Sequence, residues 1–179
     1  MDFYLEQLTK GITSATESLD QDTWSWHPEG KWSAGEIFEH LFLTYTGTIK
    51  GFARCLEAGK PLARTPTLAD RIRTLVVVGI GHMPGGRKAP KHAAPRGTPR
   101  EQVIAQVFAK ISEMDAIISQ AEAKYGFGTR VLDHPILGPL RGWEWRKFHW
   151  VHGRHHLRQI CELRRRAAQF APQGADDSH

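Results

Sequence analysis

Residues 143–170 read WEWRKFHWVHGRHHLRQICELRRRAAQF, the longest helical pattern in the chain. Stepping alternately by four and three picks out Trp145, His149, His152, His156, Gln159, Leu163 and Arg166, the seam a helix turns toward its neighbours in a bundle. The middle of this seam is polar. Inward imidazoles and amides need partners, and the carbonyls of their own helix are already used. A shared metal ion is the economical partner for several imidazoles on one face.

Three more helices are expected upstream. Phe3 to Leu19 carries Tyr4, Leu8, Ile12, Ala15 and Leu19 at steps of three and four. The next stretch, TWSWHPEGK over residues 23–31, breaks at Pro28 and Gly30, and its tryptophans should pack on the bundle end. Ser33 and Glu36 form a capping box that opens a second helix running to about Ala58. Thr98, Pro99 and Glu101 repeat that grammar ahead of a third helix, with Val103, Val107, Ile111, Met114, Ile118 and Ala121 inward and a stop at Gly126 and Gly128. A loop over residues 129–142 leads into the fourth. Without convincing period-2 strand pairs, the expectation is an all-α four-helix bundle over residues 1–170, with a frayed tail over 171–179.

Between the second and third helices lies a long crossover. From Lys60 to Arg100 it holds nine basic residues against the single acid Asp70, and it is interrupted by six prolines and five glycines. Most of it should therefore be irregular, and Val76 to Val78 is either a strand fragment or a buried helical turn. This segment supplies the net charge of +5, so the basic balance does not by itself indicate nucleic acid. No stacking platform accompanies the charge, and nucleic acid is not an expected partner.

One core suits 179 residues, and 40% hydrophobic with 24% charged residues is an ordinary globular composition. The longest apolar run, Leu75 to Ile80, is far too short to span a bilayer, and Met1 to Lys10 has no signal-peptide core. A cytoplasmic protein with no membrane partner is expected, with Cys55 and Cys161 as reduced packing residues.

His152 and His156 are one turn apart on one face, a spacing at which two imidazoles can share an ion. In a chain with ten histidines that pair needs a third ligand. On the second helix Ile37, His40, Leu41 and Thr44 form an inward stripe, and His40 is the natural partner. Glu36 and Glu39 beside it are assigned cap and solvent roles.

GKWSAGEIFEHL over residues 30–41 and HGRHHLRQI over 152–160 closely resemble the motifs of the DinB-like metal-binding superfamily, in the same order along the chain. HPILGPLRGWEWRKFH over 134–149 looks like an uncharacterised bacterial branch of it. The resemblance implies a four-helix bundle with a divalent metal on His40, His152 and His156. Members of known activity transfer thiols, as bacillithiol S-transferases and mycothiol-dependent maleylpyruvate isomerase do.

Three neutral ligands leave a coordination position for water or substrate, as in catalytic zinc sites. Imidazoles suit zinc, nickel, copper or iron, with zinc or nickel expected first. A full +2 charge favours a thiol or water nucleophile, so a metal-dependent thiol transferase or hydrolase of small molecules leads, ahead of a non-catalytic metal-stabilised binding or stress protein. Gln159 is assigned to orienting a ligand, and His149 to a substitute ligand or proton shuttle, with His155 at the rim. The expected partners are a small-molecule substrate such as a low-molecular-weight thiol, and a second copy in a homodimer.

Overall fold

A computed structural model describes residues 1–85 and 89–170 of the chain. The expected frayed tail and the crossover residues Gly86, Arg87 and Lys88 lie outside the described residues. The fold is mostly helical with one small sheet. Helix α1 spans Phe3–Glu17, α2 Gln21–Ser25, α3 Ala34–Glu57, α4 Leu68–Thr74, α5 Arg100–Tyr125 and α6 Gly142–Phe170.

Local chemistry sets most of these boundaries. Asp2 caps α1 by accepting from the Tyr4 N–H at 2.9 Å, and Asp20 caps α2 by accepting from Thr23 at 2.7 Å. That cap makes Gln21–Ser25 a short helix, which ends ahead of the expected breaks at Pro28 and Gly30. Ser33 and Glu36 form the expected box at α3. At α5 the expected box is not made. Pro99 occupies the N-cap position without a side-chain bond, because the Thr98 hydroxyl donates instead to Glu39 at 2.6 Å.

The long helices share one core. α3 lies against α5 and α1 against α6, and the whole predicted α5 stripe from Val103 to Ala121 is buried. On α1 the core-facing aromatic position is replaced by Leu5, with Tyr4 only half-buried. On α6 the predicted seam holds at Trp145, His149, His156 and Leu163, but Gln159 and Arg166 are exposed and Ile160 is buried. A strict 3.5-residue step drifts by about 20° per heptad against the 3.6 residues of a straight helix, and after two heptads the seam has turned toward Ile160. Arg146 joins α6 to α5 from inside, donating to Asp115 at 2.7 Å, Glu122 at 2.6 Å and the Ser119 hydroxyl at 2.7 Å.

The loop expected over 129–142 is an antiparallel hairpin, β1 Arg130–His134 with β2 Gly138–Arg141. Leu132 pairs with Leu140 and Asp133 with Pro139, with a register shift between Arg130 and Leu132. Pro139 argues against a strand in a sequence, yet in a two-stranded sheet each strand has an unpaired edge that tolerates it. Gly138 must be glycine, since its φ is +76° and a Cβ there would meet the Asp70 carboxyl carbon. In the crossover, Thr67 and Asp70 box the start of α4, which runs into a π-helical turn over Leu75–Gly79. Val77 and Val78 are thus a buried helical turn rather than a strand.

Candidate metal centre

His40 faces inward from α3, and His152 and His156 face it from successive turns of α6. The Nε2 atom of His152 lies 3.3 Å from Nε2 of His40 and 3.0 Å from Nε2 of His156. One nitrogen of each ring falls within 4.8 Å of the others.

The remaining nitrogens fix how the rings present themselves. Nδ1 of His40 is 2.7 Å from the Ala93 carbonyl and Nδ1 of His156 is 2.7 Å from Oε1 of Gln159. Both oxygens can only accept, so both Nδ1 atoms carry the proton and both Nε2 atoms present a lone pair. His152 meets these lone pairs with its own Nε2, while its buried Nδ1 has no hydrogen-bond partner. Protein groups alone satisfy this arrangement poorly: a proton on Nε2 serves two acceptors at once, and a proton on Nδ1 leaves three lone pairs facing one another.

A divalent ion at this point would accept all three lone pairs. For a ligand distance of roughly 2.0–2.1 Å, neighbouring nitrogens sit about 2.9 Å apart on an octahedral face and about 3.4 Å apart on a tetrahedral edge. The observed 3.0 and 3.3 Å lie within that range. Burial pushes the pKa of His40 down, partly offset by its bond to Ala93. His152 is held well below 6.5 by burial and by His156 beside it, and burial with the neighbouring His40 takes His156 to about 3. All three are neutral at pH 7, the form that binds metal.

The aromatic surroundings are close. The Trp32 ring is 5.1 Å from His40, and the Phe148 ring stacks on His152 at 5.5 Å. Trp24 instead packs on Phe38 with an interplanar angle of 10°, as an end-packing residue should.

Other predicted site residues are placed differently. Gln159 is exposed and bridges two rings, accepting from His156 and donating from Nε2 to His155 at 3.2 Å. His149 is not in the group of three; its ring is buried one turn before His152 on α6, its Nε2 is 2.9 Å from the Thr48 hydroxyl, and burial lowers its pKa to about 3. It is therefore placed apart from the three ring nitrogens, and its buried Nδ1 has no hydrogen-bond partner. Cys55 is buried as expected, whereas Cys161 is exposed, on the outer side of the turn that carries Ile160 inward.

Glu39 was assigned to solvent, and the structure corrects this. Its carboxylate is buried and accepts from the Gly97 N–H at 2.9 Å, the Thr98 N–H at 3.2 Å and the Thr98 hydroxyl at 2.6 Å. It therefore holds the end of the crossover against α3, a few residues after the Ala93 carbonyl that orients His40. The only sequence sign was a carboxylate one position before an inward histidine, and its partners are 58 and 59 residues away. Glu39→Ala is expected to cost roughly 1–3 kcal/mol by leaving these donors unpaired, and to weaken metal binding by roughly 10–100-fold as the support of His40 loosens. Urea denaturation of the chelated protein and a metal titration would read the two effects separately; unchanged metal affinity would show that Glu39 is structural only.

Residues 1–163 match the model of a family described as Protein of unknown function (DUF1569). The chain belongs to this family. The match spans every described element except the last turns of α6, so all three histidines of the triad lie inside the DUF1569 region. No curated protein and no solved structure matches this DUF1569 chain.

Proposed function

We propose that this protein binds a divalent metal ion, zinc or nickel, through His40, His152 and His156 in a DinB-like four-helix bundle, and acts on small molecules as a thiol S-transferase. The observation that carries the reading is the convergence of three Nε2 atoms, two of them fixed as lone-pair donors by Ala93 and Gln159. The bundle is supported by the four long helices α1, α3, α5 and α6 around one core. When bound, the ion would supply Lewis acidity that lowers the pKa of a thiol from about 8.5 toward neutrality.

The residues of the chain contribute position and environment. Ala93 and Gln159 lock two ring orientations, and Trp32 and Phe148 pack on the rings of His40 and His152. In the net reaction a thiol RSH and an electrophile R′X give RSR′ and HX; the S–C bond forms, the C–X bond breaks, and the thiol proton leaves with X. Among the described residues no carboxylate joins the group of three, and His149 is neutral and bonded to Thr48, which favours a reaction needing little proton transfer over hydrolysis.

The test uses cobalt-substituted protein. Addition of a low-molecular-weight thiol is expected to change the cobalt absorption spectrum, and the same thiol should be consumed in conjugation to a reactive electrophile. If no thiol perturbs the spectrum while esters or amides turn over with metal dependence, the protein is a hydrolase.

A further inference from the structure

Helix α4 and the π-helical turn after it expose a face that none of the described residues covers. Among the described residues there are eight exposed large hydrophobic side chains, and five of them, Leu62, Leu68, Ile72, Leu75 and Ile80, fall between residues 62 and 80, three of these on α4 and the π turn themselves. Leu68, Ile72 and Leu75 are spaced by four and three residues and so share one side of the helix, at 75%, 55% and 62% exposure. The π turn extends the stripe. The Ile80 N–H donates to the Leu75 carbonyl at 2.8 Å, which sets Ile80 one turn beyond Leu75 on that side, with 72% of its surface exposed.

The charge left unpaired beside the stripe is basic. Arg71 lies on α4 next to it and Lys60 precedes it in the chain, while Arg64 and Arg73 are paired with the buried Asp70 at 2.6 and 3.5 Å and Arg64 also reaches Asp133 at 3.8 Å. Beside Leu75 a cavity of about 230 Å³ is lined by Val78, Pro139 and Trp143 together with Arg71 and Arg130. Its second acid, Glu144, is neutralised by Arg141 at 3.1 Å.

We propose that this face docks on a membrane surface carrying anionic lipid headgroups, with Leu68, Ile72, Leu75 and Ile80 entering the acyl boundary and Arg71 meeting the headgroups. An apolar stripe edged by basic charge is the arrangement by which a helix lies in the interface without spanning it. No helix among the described residues is long and apolar enough to cross a membrane, and a surface helix needs no such length. Neither ground for expecting no membrane partner, the short apolar run or the missing signal-peptide core, bears on a helix that lies on a surface. A second copy is a poorer occupant, because a two-fold contact through this face would bring like arginines together.

The test is co-sedimentation of the full chain with vesicles of about one-third phosphatidylglycerol in phosphatidylcholine, against phosphatidylcholine alone. Wild type is expected to pellet with the anionic vesicles and to be released by added salt. Ile72→Asn with Leu75→Asn should weaken partition at least tenfold, since burying each aliphatic side chain is worth roughly a factor of ten. The melting temperature of that variant should hold, as both side chains are exposed. Sedimentation indifferent to anionic lipid, or unchanged in the double variant, overturns the proposal. So does a wild-type dimer that the double variant converts to monomer without any vesicle binding, which would make a second copy the occupant.

Discussion

Replacing His152 by alanine is expected to remove the bound divalent ion from purified protein that otherwise carries about one per chain. Its Nε2 lies between those of His40 and His156, at 3.3 and 3.0 Å, so its loss leaves two nitrogens without the ligand that joins them. The fall in affinity should exceed the roughly 10–100-fold typical of an outer-shell substitution. His40→Ala and His156→Ala should behave alike, while His92→Ala, at an exposed position, retains the ion. His134→Ala should retain it too. The His134 Nδ1 accepts from the Ile136 and Leu137 N–H groups and is taken up by the hairpin. Elemental analysis reads this directly. In wild type, added metal should raise the melting temperature by mass action without being needed for folding, and the increment should vanish in each triad variant. Full occupancy in a His40→Ala, His152→Ala double variant would defeat the assignment, and loss of helical circular dichroism on chelation would make the site structural.

Chelated protein should lose stability steeply as pH falls from 6.5 toward 4. Burial holds His134 at a pKa of about 4, and burial with His134 nearby holds His149 at about 3, whereas both protonate near 6.5 in the unfolded chain. Between those values the unfolded chain binds more protons than the folded one, so stability drops with falling pH and is flat above 6.5. Each histidine contributes roughly 1.4 kcal/mol per pH unit, or about 2 kcal/mol at pH 5. Urea midpoints measured from pH 7.5 to 5 would show the slope, and His149→Gln should reduce it by the share of one proton. A midpoint independent of pH over that range would mean that these rings are hydrated rather than buried.

Periodicity determined much of this. The α5 stripe was legible residue by residue because every member is a nonpolar side chain at helical spacing on a long element, where local pattern and tertiary burial agree. The capping box at Ser33 was legible because both partners lie within one turn. His40, His152 and His156 stood out because imidazoles occupied positions that the pattern reserved for apolar residues, and the spacing of His152 and His156 is fixed by the helix itself.

Tertiary structure decided what depended on distant partners. The sequence could place His40 inward but not within 3.3 Å of His152, since that contact joins residues 112 apart. It could not find the Ala93 carbonyl or the Glu39 clamp, because any carbonyl can accept and a carboxylate beside a helix histidine is ordinarily solvated. The hairpin stayed hidden for a related reason. Its strands are five and four residues long, too short for alternation to register, and what stabilises them is burial of Val131, Leu137 and Leu140 against the helices. Gln159 moved out of the expected seam because a helix turns by 3.6 residues and not 3.5, a difference that accumulates along α6 and that only packing against real neighbours resolves. Local chemistry therefore specified the helices and the candidate ligands, while long-range contacts specified how the ligands are held.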